Sequence, residues 1–251
     1  NLKTMDQQSN FEKEGNHIWE HLNWNPSKQQ LEQLKHLQCL LREWNKQVNL
    51  TRLIEGNDFW VSQVLDSLLP FKNNLNKQNT PLEIIDVGTG CGLPGLVLAI
   101  AIPNSSITLV DSIYKKTTAV KEIVGKLNLI SRVYVRTERI ELTGQNLSFR
   151  NKYDFALARA VAQAPILAEY LIPLLNTNGK AILYKGKWSE REHNELIKAL
   201  DPLKGQIEEI RKIQLPDNRG IRNIIFLSST SQCPHQYPRS IGVPMKKPLT
   251  S

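Results

Sequence analysis

The stretch that most constrains this chain is Leu82 to Gly95, LEIIDVGTGCGLPG. A short apolar run rich in β-branched residues, Leu82–Val87, has the length and composition of a buried strand. It breaks into Gly88-Thr89-Gly90-Cys91-Gly92 and resumes as an apolar segment, Leu93 to Ile102, that reads as a helix. Pro94 sits where a helix start tolerates a missing N–H, and Pro103 marks the end. Strand, glycine turn and helix form the unit with which an α/β domain binds a nucleotide-like ligand at the carboxyl edge of its sheet.

The spacing narrows the ligand. A dinucleotide turn reads G-x-G-x-x-G; here it reads G-x-G-x-G, and Asp86 lies two residues before the first glycine. A carboxylate there repels a pyrophosphate. S-adenosylmethionine has no phosphate and carries a sulfonium and an ammonium, so it accepts an acid beside the turn. A second strand, Ser106–Asp111, ends in an acid 25 residues after Asp86, the position from which a carboxylate takes the ribose hydroxyls. The alternative for Asp111 is a helix N-cap or surface turn. These residues point to a methyl-donor site in which Asp86, Gly88, Gly90 and Asp111 take part.

Further strands are expected at Arg132–Val135, Asp154–Ala158, Gly179–Tyr184 and at about 206–214 and 222–227, separated by helices near 115–127, 163–175 and 188–200. Strands alternating with helices imply a doubly wound, mostly parallel sheet, here of seven strands. Ahead of it, Leu31, Leu34, Leu37, Leu41, Trp44 and Val48 follow helical spacing after an N-cap at Ser27. A second helix is expected from about Asn57 to Phe71, followed by a polar link, 72–80. The expected organisation is a flexible N-terminus (1–26), a helical cap (27–80), a sheet domain (81–230) and an extended basic tail (231–251) with four prolines, three basic residues and no acids.

Charge bears on the partner. With 32 Lys and Arg against 24 Asp and Glu, the chain carries +8, which favours a polyanion. Arg136, Arg139, Lys185 and Lys187 fall at strand ends where they would form a phosphate-binding rim; any one of them is otherwise an ordinary surface charge. Arg159, ending the fourth strand, is placed to meet a guanine, a phosphate or the methionine carboxylate, unless it is a surface ion pair with Asp154 or Glu169. Glu138 lies where an acid meets the adenine, or is a solvated turn charge. Three scattered cysteines and five histidines show no metal-ligand spacing, so no metal is expected. No apolar run nears the ~20 residues that span a bilayer, and residues 1–16 lack a signal peptide's apolar core; a cytoplasmic, monomeric protein is expected.

The acceptor is approached by elimination. Exocyclic amines are commonly methylated beside an Asn/Asp-Pro-Pro-aromatic turn after the fourth strand, and here that place reads Ala158-Arg159-Ala160-Val161-Ala162. Pyrimidine carbons need a cysteine nucleophile, typically in a Pro-Cys pair, which is absent from the chain. Guanine N7 needs neither, since its lone pair is already available. No catalytic residue is assigned. A nicotinamide-dependent oxidoreductase, a non-catalytic RNA-binding factor and a small-molecule methyltransferase stand as alternatives.

Six stretches resemble one family: Trp44-Asn45-Lys46-x-x-Asn49-Leu50-Thr51, Leu65-Asp66-Ser67-Leu68, the glycine stretch Asp86–Gly95, Arg159-Ala160, Lys185-Gly186, and the tail from Tyr237 to Leu249. The chain is similar over about residues 27–249 to the bacterial 16S rRNA guanine-N7 methyltransferases, the RsmG or glucose-inhibited division protein B family. The resemblance implies a Rossmann-like class I S-adenosylmethionine-dependent methyltransferase. It implies a cofactor pocket at Gly88, Leu93, Asp111, Ser112, Ile113, Thr137, Glu138 and Arg159. The implied acceptor is a guanine of 16S rRNA in the small ribosomal subunit, with Arg239, Lys246 and Lys247 of the tail added to the RNA-binding candidates. One position departs: relatives usually carry histidine where this chain has Gln63.

Overall fold

The computed structural model describes residues 15–77, 79–159 and 162–250. Its centre is a seven-stranded sheet in the order β3-β2-β1-β4-β5-β7-β6. The strands are β1 (Leu82–Val87), β2 (Ser105–Asp111), β3 (Val133–Thr137), β4 (Tyr153–Arg159), β5 (Leu175–Lys185), β6 (Gly205–Gln214) and β7 (Ile221–Ser229). The first five are parallel, while β7 runs antiparallel to both β5 and β6. The order reverses at β1, which pairs β2 on one side and β4 on the other; such a switch point opens a crevice beyond the strand ends.

Alternation along the strands sorts the core into two layers, because successive side chains leave a strand on opposite faces. Ile84, Leu109, Leu157 and Ile182 face one cluster, and Ile85, Val110, Ala156 and Leu183 the other. Helices cover both faces, which is why the central strands read as continuous apolar runs. The principal ones are α1 (Lys28–Trp44), α2 (Gly95–Ala101), α3 (Tyr114–Lys126), α4 (Ile140–Gln145), α5 (Ala164–Leu171), α6 (Glu190–Leu203) and α7 (Val243–Lys246).

The cap shares the core of the first face. Ser27 begins α1 with a reciprocal capping box, the Gln30 N–H donating to Ser27 Oγ at 3.1 Å and the Ser27 N–H to Gln30 Oε1 at 2.8 Å. Gln30 Nε2 then donates to the Ile100 carbonyl at 3.0 Å, fastening α1 to α2. Asn45 Oδ1 accepts from the Leu50 and Thr51 N–H groups at 2.8 and 3.1 Å, which turns the chain after α1 and gives the Asn of the first family stretch its purpose.

Several boundaries differ from expectation. The second cap helix continues to Leu75 through a π-helical segment, Trp60–Leu65, so the polar link is shorter than expected. Within the segment expected to be flexible, residues 1–14 lie outside the described residues, whereas 15–26 pack firmly. Asn16–Ile18 and Trp19–Leu22 are helical turns, and Ile18, Trp19, Leu22 and Trp24 are buried in the cap's core. Aromatic edges hold this corner, with Trp19 5.8 Å from Trp24 and 6.3 Å from Trp60 between ring centres. Apolar burial outweighed the polar average of the segment.

The tail is the larger correction, for it is docked rather than extended. Arg150 donates to the carbonyls of Cys233 at 3.0 Å, Pro234 at 2.9 Å and Tyr237, and Pro238 packs where Gly144 leaves room that a Cβ would fill. Arg239 donates from Nε and Nη2 to the two oxygens of the fully buried Glu169 at 2.9 and 2.8 Å.

Candidate functional site

The glycine turn joins β1 to α2 with Gly88, Gly90 and Gly92 all at positive φ (67°, 58° and 93°), which an L side chain adopts only with strain. Asp86 organises it from beneath. Its Oδ2 accepts from the Gly95 N–H at 2.9 Å and from Thr89 Oγ1 at 2.7 Å. Its Oδ1 has no partner among the described residues. Burial raises the Asp86 carboxyl to about 6, against the opposing hydrogen bonds from Thr89 and Gly95. Gly95 must be glycine because a Cβ there would strike Leu109 and crowd Asp86.

Asp111, at the end of β2, ties the neighbouring strand to the same turn. Its Oδ2 accepts from the Gly90 N–H at 2.8 Å and its Oδ1 from the Ile113 N–H at 2.9 Å. Both oxygens keep lone pairs for further donors, and the group is half-buried at the cleft.

The switch-point cleft has a volume of about 410 Å³. Gly88 and Gly90 form its floor, with Asp111, Ser112, Ile113 and Glu138 on its walls. Glu138 accepts from Arg136 Nε at 2.9 Å and Thr143 Oγ1 at 2.5 Å. Burial pushes its carboxyl upward, but those two bonds prevail and hold it below the usual range. Sequence reasoning missed Ile140, because the short helix α4 carries too few residues to show a period, and Tyr170, because it reads as one more core residue of the apolar helix α5. It also missed Met245, because nothing local to the tail shows which surface it meets. All three line the cleft.

Four expected cofactor residues, Asp86, Leu93, Thr137 and Arg159, border the turn or the strand ends without lining this cleft. Asp86 is beneath the turn, engaged as described, and Leu93 is buried in the core. Thr137 Oγ1 shares a 2.6 Å hydrogen bond with Thr117 and so links β3 to α3. Arg159 is held by the cap beside the glycine turn, close enough to act on the charge of Asp86. Its Nη1 lies 3.2 Å from Asp66 Oδ2, and its Nη2 donates to Gln63 Oε1. The surface pairs considered for it, Asp154 and Glu169, are engaged with Asn176 and Arg239. Asp66 also accepts from Arg222 Nε at 2.7 Å, so one buried carboxylate bridges the ends of β4 and β7. Ala160, the other residue of that family stretch, lies outside the described residues.

Gln63 fills its place by geometry. Besides accepting from Arg159, it donates from Nε2 to Thr51 Oγ1 at 3.1 Å. A neutral imidazole, with one acceptor and one donor nitrogen, serves the same two partners.

The expected phosphate rim is thinner than charge alone suggested. Lys185 Nζ lies 2.8 Å from Glu192, and Arg139 pairs with Glu141 at 3.0 Å while bordering the cleft. Arg136 pairs with Glu138 and stacks over Phe149, 4.1 Å from its ring centre. Like Arg239, these side chains each have a carboxylate partner, although Arg136 and Arg139 stay partly exposed. Lys187, Lys246 and Lys247 remain exposed. Among the described residues no group of three His, Cys, Asp or Glu side chains is placed to hold a metal. No helix among them is long and apolar enough to cross a membrane.

The cleft fits S-adenosylmethionine by its donor set. A floor of bare backbone meets two carboxylates, which suit hydroxyls, an amine and a sulfonium.

Comparison with known proteins bears on the same residues. The family described as rRNA small subunit methyltransferase G matches residues 30–222. Ribosomal RNA small subunit methyltransferase G of a Prochlorococcus marinus strain is 60% identical over 247 residues, covering 98% of each chain. Its namesake from Synechococcus sp. (strain WH7803) is 51% identical over 245 residues, covering 98% of this chain and 96% of its own. Among solved structures, an O-methyltransferase from Bacillus cereus in complex with SAH superposes with a TM-score of 0.57 at 16% identity. It covers 77% of this chain and 90% of its own, and shows a common fold.

Proposed function

The chain belongs to the small-subunit rRNA methyltransferase G family, and on that premise we propose that it methylates N7 of one guanine in 16S rRNA. The observation that supports this most is the cleft itself, where the glycine turn, Asp111 and Glu138 meet at the switch point of the sheet. When bound, S-adenosylmethionine supplies a methyl group on a positively charged sulfur, ready for in-line displacement.

Gly88 and Gly90 offer a floor that the ligand could approach closely, Asp111 would accept from its ribose hydroxyls, and Ser112, Ile113 and Glu138 would hold its base. The acceptor nitrogen brings its own lone pair. It gains a bond to carbon as the carbon–sulfur bond breaks, and the electron pair of that bond goes to sulfur. N7 has no proton to lose, so the chain needs no general base; its task is alignment at about 3–3.5 Å and exclusion of water. The methylated guanine becomes cationic.

Lys187, Lys246 and Lys247, exposed near the same edge, are the phosphate contacts of this reading. A monomer acting in the cytoplasm, where small subunits are assembled, completes it. The test is transfer of labelled methyl from S-adenosylmethionine to small subunits lacking the modification, with the modified base mapped. Label on N7 of a 16S guanine is the expected result. Cofactor binding without any label on the subunit would refute the acceptor.

A further inference from the structure

We infer that the C-terminal segment is part of the cofactor site, and that Met245 is the apolar wall against which the adenine of the methyl donor rests. The inference rests on the cofactor reading above. It concerns residues beyond 222, where the family match ends, and it assigns to the tail a role other than RNA binding.

Three observations carry it. Met245 lines the same cleft as Asp111, Ile113 and Glu138. Met245 and Ile113 are also two of the chain's exposed large apolar side chains, at 51% and 48% exposure. Two half-exposed apolar side chains line one cleft beside the acid assigned to the ribose, and they suit the part of the ligand that is planar and apolar on its faces. A purine fits that description. A methionine fits the task, because its flexible, polarisable thioether packs well on an aromatic ring.

The third observation is that the position of Met245 is built. Arg239 is held by Glu169, which is fully buried and accepts from its backbone N–H at 2.9 Å as well as from its guanidinium. The Gly242 N–H donates to Glu141 Oε1 at 3.2 Å, immediately before α7. Glu141 is the same carboxylate that pairs with Arg139 at the cleft. The segment is therefore fastened at two points ahead of Met245, and the turn bearing it starts from a carboxylate that also braces the cleft wall.

Calorimetric titration of the full chain with S-adenosylhomocysteine tests it, since this readout is independent of turnover. Met245→Ala should weaken binding roughly tenfold, the scale of two or three apolar groups returned to water. Met245→Leu, which keeps the apolar bulk, should stay within about threefold of the parent. The ligand should also slow hydrogen exchange at the amides of Gly242–Lys247 in the parent chain. Parent binding with Met245→Ala unchanged and no protection of those amides would overturn the inference while leaving the cofactor reading intact. Absence of binding by the parent chain would overturn both. Met245 is half exposed, so its replacement leaves the core untouched, and equal thermal midpoints verify that.

Discussion

Replacing Asp66 with asparagine tests whether the bridge between the cap and the sheet stabilises the fold as the geometry requires. The carboxylate is 1% exposed and meets Arg159 at 3.2 Å and Arg222 at 2.7 Å, whose side chains are 14% and 26% exposed. The substituted amide would keep the shape and one accepting oxygen, yet leave two guanidiniums facing a neutral group. Removing one partner of a buried ionic cluster destabilises by roughly 3–5 kcal/mol. Since water reaches part of both arginines, the lower end applies, about 3 kcal/mol. For a chain of this size a loss of 1 kcal/mol lowers the melting temperature by about 2–4 °C, so Asp66→Asn should melt about 6–12 °C below the parent. Differential scanning calorimetry at neutral pH reads it. Adding Arg222→Met to Asp66→Asn removes one of the stranded charges, so the double variant should be more stable than the sum of the two single losses. A shift under about 2 °C, or strictly additive losses, would show that the arginines do not depend on this carboxylate.

Three more outcomes are expected. Asp86 has a folded-state pKa raised to about 6 by burial, so the folded chain holds an extra proton between the unfolded value near 4 and that point. Its contribution favours the fold below this window and is lost as pH rises through 6, by on the order of 3 kcal/mol. Asp86→Asn should therefore gain stability relative to the parent between about pH 4 and 7 in urea titrations; a difference independent of pH would refute the assignment. Asp111→Ala should weaken S-adenosylmethionine binding by about 1–3 kcal/mol, from lost charged hydrogen bonds and a loosened turn, and unchanged affinity by calorimetry would remove Asp111 from the site. Replacing Lys187, Lys246 and Lys247 together with alanine should lower the slope of log affinity for rRNA against log salt by about 2–3. An unaltered slope would place the RNA elsewhere.

What was legible in the sequence was local. The apolar run of β1, the three glycines and Asp111 at the next strand end specify a turn and its neighbour within one short stretch, and the structure joins them by hydrogen bonds from Gly90 and Ile113 to Asp111. Two pairs at spacing two, Arg136 with Glu138 and Arg139 with Glu141, are equally local, but a strand end and a turn do not show in sequence which neighbouring charges meet. The long-range partners were not legible. Glu169 pairs with Arg239 and Asp66 with Arg159 across 70 and 93 residues, and residue type alone says nothing of such distances. Asp86 and Leu93 belong to the same local stretch, but that Asp86 bonds to Gly95 and Thr89 and that Leu93 is buried were not legible in it.

The tip of the hairpin between β6 and β7 ties the fold together in a way that bears on how it forms. Arg219 pairs with Asp58 there, and Asp217 accepts from Asn57 at 3.0 Å and contacts His17 at 2.8 Å. These contacts close loops of 160 residues and more. Closing so long a loop carries an entropy cost that is met before the contact returns anything, and chains rich in such contacts fold slowly. The cap, whose core runs without a break into the sheet, therefore has partners at both ends of the chain. A chimera that exchanged cap and sheet domain between relatives would have to carry the hairpin with the cap.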